Sequence, residues 1–154
     1  MSIQRHFTVS VYIVHKNKVL LHRHKKYGII LPLGGHIEKD ELPEEACLRE
    51  VLEESGLNIT LISDKNSCID GIDGVNSSEL IRPMHMRLCK VDTDHYHIDL
   101  NYYATSETFD LNPQKGETSA LYWFAKNELT EIQNAPKDVI LMTNEALGFL
   151  GGES

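Results

Sequence analysis

Residues 35–57 read GHIEKDELPEEACLREVLEESGL, and the reading of the whole chain turns on them. Pro43 followed by Glu, Ala, Leu and Arg predicts a helix over 43–55, and Gly56 is a natural stop. A helix advances about 100° per residue, so with Ala46 at zero Glu50 falls near ~40°, Glu53 near ~−20° and Glu54 near ~80°. The three carboxylates therefore share one face at i, i+3 and i+4 spacing. Cys47, Leu48, Val51, Leu52 and Ser55 occupy the arc from about 100° to about 240° and are expected to pack on a sheet. Like charges on adjacent turns repel by about a few tenths of a kcal/mol per pair. A divalent cation removes that penalty, and oxygen donors with room for water suit Mg²⁺ or Mn²⁺. The alternative is a plain solvated acidic face.

Upstream, Phe7, Val9, Val11 and Ile13 alternate as a strand does, Lys16-Asn17-Lys18 forms a turn, and Val19-Leu20-Leu21 begins a return strand. Downstream, strands are expected over 58–62, 84–89, 95–104 and 119–124, with a polar, irregular loop at 64–81 between them. Val139, Met142, Ala146 and Leu150 place one apolar face on a helix over 137–150, started by Pro136 and stopped by Gly151-Gly152. Strands early and late with helices between predict a mixed sheet packed by helices, in a single domain over 1–154.

At 154 residues, 41% apolar and 25% charged, the chain has the composition of an ordinary soluble globular domain. A net charge of −8 argues against long nucleic acid or an anionic membrane as partner, since both need a basic surface. No apolar run approaches membrane-span length. The start, MSIQRHF, lacks the layout of a signal segment, and Cys47, Cys68 and Cys89 lie far apart. Both features predict reduced thiols in a cytoplasmic protein.

The spacing Gly35, Glu41, Arg49-Glu50-Val51, Glu53-Glu54, Gly56-Leu57 resembles the Nudix box at every fixed position. One departure lies upstream: Leu33 stands directly before the paired glycines where relatives often carry proline, and Pro32 is one residue earlier. The resemblance implies an α+β fold, an α/β/α sandwich around a mixed sheet. It implies a pyrophosphohydrolase that cleaves a nucleoside diphosphate linked to another group, with Mg²⁺, or Mn²⁺ in its place, as cofactor. Its partner would be a small nucleotide derivative, and the resemblance leaves a homodimer open. Carried over by position, Glu50, Glu53 and Glu54 would bind metal together with the Gly35 carbonyl, and Glu41 with Arg49 would form an ion pair that fixes the loop. Glu50 and Glu117 are the two candidates for general base. A non-catalytic nucleotide-binding module of the same fold is the alternative, but such modules usually lose box carboxylates. An isomerase of prenyl diphosphates is a third reading, for which the chain is short.

Two further clusters draw notice. In the run His22-Arg23-His24-Lys25-Lys26, Arg23 matches a position where the family often places a phosphate-contacting arginine, and a planar fork of donors suits phosphate. The alternative is a solvated strand edge. In His95-Tyr96-His97-Ile98-Asp99, alternation puts His95, His97 and Asp99 on one strand face. These three are expected to line the cleft and contact substrate, with a transition metal, phosphate or a base as their chemical options. His36, beside the paired glycines, is expected to touch substrate or cap the loop.

Overall fold

The computed structural model describes residues 2–63, 77–117 and 120–152. Eight strands form one sheet: β1 Gln4–His15, β2 Lys18–Arg23, β3 Ile30–Leu31, β4 Leu33–His36, β5 Ile59–Leu61, β6 His85–Lys90, β7 His95–Ser106 and β8 Leu121–Ala125. Two helices, α1 Pro43–Ser55 and α2 Lys137–Leu150, and a 3-10 helix Lys126–Glu131 accompany it among the described residues. Of the irregular stretch expected at 64–81, residues 77–81 carry no regular structure; 64–76, with Cys68, lie outside the described residues.

The β1–β2 hairpin forms as expected, with Lys16 at φ 52° in its turn. β1 is the centre of the sheet. One edge runs parallel to β7 from Gln4↔His95 to Val14↔Thr105. Its other edge is shared, pairing antiparallel with β4 over 8–11 and with β2 over 13–15. All the remaining pairings are antiparallel, so the sheet is mixed, as the order of strands and helices and the box resemblance predict.

Because β1 is covered on both faces, its two sets of alternate residues enter different cores. Val9, Val11 and Ile13 join Leu33, Leu100 and Tyr102 beneath Ala46, Cys47 and Val51 of α1. Tyr12 and Val14 join Val19, Leu21 and Tyr103 beneath Val139, Met142 and Ala146 of α2. The molecule is an α/β/α sandwich, and each strand residue is assigned by parity to the α1 side or the α2 side. Three aromatics near the centre, Tyr12, Tyr102 and Tyr103, are core side chains.

The face of α1 that packs is rotated from the expected one. Its buried residues are Ala46, Cys47, Val51, Glu54 and Ser55, whereas Leu48 and Leu52 are 46% and 44% exposed. On the helical wheel these buried positions span about 0–180°, so Glu54, near ~80°, lies at the middle of the packed arc. The carboxylate face and the buried face overlap instead of opposing each other. Small residues at 46 and 47 let the helix sit close to β4, and that closeness carries Glu54 into the interior.

Candidate active site

Helix α1 starts with Pro43 at its first position, and the Leu42 N–H donates to the Glu45 carboxylate (2.9 Å). Glu44 and Glu45 lie where the helix dipole favours negative charge, but Glu53 and Glu54 lie in the last turn, where it opposes them. At the C-terminus Gly56 adopts φ 77°, and a Cβ there would come within 2.5 Å of the Asn112 carbonyl oxygen. The segment after β7 docks on the freed carbonyls: the Asn112 N–H donates to Ser55 O (2.8 Å) and the Gln114 N–H to Glu53 O (2.9 Å). This docking carries Glu117 over the end of α1, near enough for its charge to act on Glu50 and Glu54.

Glu50 and Glu54 converge on β4, and Glu53 is tied to Glu50 through the shared Arg49 Nη1. Glu54 is 6% exposed, and its Oε1 accepts the Gly34 N–H at 2.9 Å. Burial pushes its carboxyl up to about 8; the Gly34 bond works the other way, and the charges of Glu50, Glu117 and Glu53 add to the rise. The Glu50 carboxylate lies against Gly35, whose missing side chain makes the space: a Cβ there would stand 2.6 Å from Glu50 Cδ. Burial also raises the Glu50 carboxyl, against the opposing hydrogen bond from Arg49. Three crowded, partly buried carboxylates on one helix, two of them in its last turn, form an all-oxygen donor set whose charge calls for a hard divalent cation. The donor set therefore fits Mg²⁺ or Mn²⁺.

Arg49 is the hub that holds the surrounding loop. Its Nε and Nη2 grip Glu41 in a two-point pair at 2.7 and 2.9 Å. Nη1 donates to Glu50 Oε1 (2.9 Å) and lies 3.5 Å from Glu53 Oε2, while Nη2 also donates to the His36 carbonyl (3.1 Å). The hydrogen bond from Arg49 holds the Glu41 carboxyl below the usual range.

The other candidates are placed differently. Arg23 is exposed at the end of β2 and donates to the Gly28 carbonyl (3.1 Å). Lys25 reaches the Gly116 carbonyl, next to Glu117. His95, His97 and Asp99 were expected to line the cleft, which the carboxylates put on the α1 side. Register and parity put them on the α2 side of the sheet instead, in line with Tyr103. There Asp99 accepts hydrogen bonds from Thr8, Ser10 and Asn101, each at 2.7 Å. His36, paired with Thr8, points to that side too, whereas its neighbour Gly35 faces Glu50.

One residue missed from sequence is His22. Alternation with Leu20 puts it on the α1 side, buried, with Nδ1 3.7 Å from Glu54 Oε2. Burial, with His24 adding, lowers its pKa to about 4. The ring is neutral at pH 7, so this is a polar contact and not an ion pair. The signal was the HxH alternation inside the basic run, read there only for its cations.

A family model described as NUDIX domain matches residues 4–143. A NUDIX-family hydrolase from Clostridium perfringens is 48% identical, with a TM-score of 0.85, over 96% of this chain and 99% of that one. At 17% identity, a NUDIX hydrolase from Nitrosomonas europaea shares the fold, with a TM-score of 0.68 over 97% and 93% of the two chains. The NUDIX domain of Shewanella oneidensis NrtR, in complex with ADP-ribose, is 18% identical with a TM-score of 0.64 over 96% and 89%. No curated protein matches the chain. The box spacing, the helix that carries it, the sandwich around it and a close relative matched end to end agree: the chain belongs to the NUDIX family of hydrolases, enzymes of phosphoric anhydride bonds.

Proposed function

We propose that the protein is a Mg²⁺-dependent pyrophosphohydrolase, with Mn²⁺ able to substitute, acting on a small nucleoside diphosphate derivative. The observation that carries this reading is the meeting of Glu50 and Glu54 at Gly34-Gly35 of β4, with Glu53 tied to Glu50 through Arg49 and Glu54 buried and oriented by a backbone N–H. In this reading Glu53, Glu54, Glu50 and the Gly35 carbonyl hold the metal. When bound, the cation neutralises phosphate oxygens and makes a coordinated water more acidic.

The protein's own groups do the rest. Arg49 restrains Glu50 on one carboxylate oxygen, leaving the other free to take a proton from the attacking water. Glu117, on the loop docked over α1, is the second acceptor in reach of the same space. The Glu41–Arg49 pair keeps residues 36–41 against the helix, which fixes the Gly35 carbonyl. Arg23, an exposed guanidinium at the end of β2, supplies a phosphate contact. Positioning of this kind carries most of phosphoryl-transfer catalysis.

The intact carboxylate set favours an enzyme over a nucleotide-binding module. The test is a panel of ADP-ribose, nucleotide sugars, oxidised nucleoside triphosphates, dinucleoside polyphosphates and 5′-triphosphorylated RNA, incubated with Mg²⁺ and resolved by mass. The expected result is cleavage within the phosphate chain of a small member of the panel. Binding of a panel member without turnover, at saturating Mg²⁺, would move the protein to the binding-module reading.

A further inference from the structure

On the α2 side of the sheet, at the end opposite α2 itself along β1, four histidines from three strands meet. His6 lies on β1, His36 ends β4, and His95 and His97 open β7. The parallel register sets His97 beside His6 and His95 beside Gln4, while the antiparallel register sets His36 beside Thr8. One ring nitrogen from each residue can be chosen so that all four lie within 4.8 Å of one another. His6 and His97 lie near-parallel, at 28° with centroids 6.5 Å apart, and the other pairs are crossed. His36 and His97, and His95 and His97, meet at centroid distances of 4.9 Å with planes crossed at 82° and 79°. His6 and His95 cross at 66°.

The nitrogens are poorly served by the protein. His95 Nε2 faces His6 Nδ1 at 3.0 Å, a contact that is bonding only if one of two like atoms carries the proton. His97 Nε2 is buried and has no hydrogen-bond partner among the described residues. A buried polar atom without a partner is a cost that native structures rarely leave standing, and a missing ion is one of its standard explanations. Asp99, two residues along the same face, has its oxygens held by Thr8, Ser10 and Asn101, so it adds negative potential beneath the cluster without competing as a ligand.

We propose that His6, His36, His95 and His97 form a second metal centre that binds one Zn²⁺, separate from the carboxylate site across the sheet. Four imidazoles with no carboxylate among them suit a borderline transition ion and not Mg²⁺, which the oxygen set of α1 takes. Tetrahedral coordination with Zn–N of about 2.0–2.1 Å places nitrogens about 3.4 Å apart, which asks for small side-chain rotations from the present spacing. The ion ties together three segments distant in sequence, and through His36 it braces the strand whose preceding residue, Gly35, faces Glu50. Its role is to stabilise the sheet at the edge of the active site; four protein ligands close the site to substrate.

The test uses the full chain without a histidine tag, stripped by chelator, then titrated with Zn²⁺ alone against a chromogenic competitor, with Co²⁺ as a spectroscopic probe. One equivalent should bind, raise the melting temperature, and give the intense visible absorption of four-coordinate Co²⁺. His6→Gln and His36→Gln change exposed positions and spare the fold. Each should lower Zn²⁺ affinity by at least about 10–100-fold, the loss seen even when groups that merely support a ligand are removed. Glu53→Gln with Glu54→Gln should leave Zn²⁺ binding and the Co²⁺ spectrum intact. Zn²⁺ binding that survives both histidine variants, or that disappears with the glutamate pair, would overturn the proposal. So would six-coordinate Co²⁺ absorption or no stoichiometric Zn²⁺ uptake. None of these readouts needs turnover, so failure of the pyrophosphohydrolase reading leaves the result interpretable.

Discussion

Gly35→Ala separates the carboxylate site from the fold that carries it. The added Cβ would stand 2.6 Å from Glu50 Cδ, where a carbon–carbon contact settles at about 3.5–4.0 Å. The carboxylate must therefore retreat by about 1 Å or more, and its 2.9 Å bond to Arg49 goes with it. The obstacle is the far end of a flexible side chain and the backbone at Gly35 does not need glycine, so stability should change by less than about 1 kcal/mol, part of it offset by a stiffer unfolded chain. A displacement of about 1 Å at a catalytic group costs about 10²-fold in rate. Gly34→Ala is the control. A Cβ there would overlap the Val9 carbonyl oxygen and lie 3.0 Å from Ser10 Cα, both backbone of the central strand. β1 is held on its other edge by β7 and cannot give way, so this change should cost about 1–3 kcal/mol, or about 2–10 °C in Tm. The assays are steady-state turnover with Mg²⁺ and thermal melting in chelator. Gly35→Ala with wild-type kcat, or with a metal-free Tm as low as that of Gly34→Ala, would refute the reasoning.

Three other outcomes follow from the same geometry. Glu53→Gln combined with Glu54→Gln should abolish the rise in Tm produced by Mg²⁺ or Mn²⁺; an unchanged shift would remove these residues from the metal site. Glu54, raised to about 8, binds a proton in the folded state that the unfolded chain has released, so metal-free stability should fall as pH rises from about 6.5 to about 8. Below that window His22, neutral when folded, acts with the opposite sign. Mg²⁺ favours the carboxylate, so its Tm shift should grow over the same window, and a slope unchanged in Glu54→Gln would contradict the assignment. Glu50→Gln should lower kcat by at least about 10²-fold, and Glu117→Gln less if Glu50 takes the proton or comparably if Glu117 does; near-wild-type turnover of Glu50→Gln with metal bound would exclude chemistry through this helix.

What could be read from the sequence has a local cause. Helix α1 is written in Pro43, the 3.6-residue period and Gly56, all within one stretch, and the box spacing is a pattern along the chain. The β1–β2 hairpin and α2 are local in the same way, and their periods were legible. Which way a helix turns its face is not local. Leu48 and Leu52 have the hydrophobicity of buried residues, yet Glu54 is buried in their place, because α1 packs through Ala46 and Cys47 against β4, whose Gly34 N–H satisfies the carboxylate. His22 became part of the site only when β2 turned it toward Glu54. The histidines show the division most plainly. Alternation correctly put His95, His97 and Asp99 on one face of a strand, but a period of two says nothing about which face meets which helix. That depends on strand order and register, set by the parallel pairing of β1 with β7 some 90 residues away in sequence, as Gln4↔His95 shows. The same pairing brings His6 to His97 and, through β4, His36 to both. A backbone period is dictated by neighbouring residues, whereas a register is chosen by the summed burial of two whole strand faces, which exists only once the tertiary structure has formed.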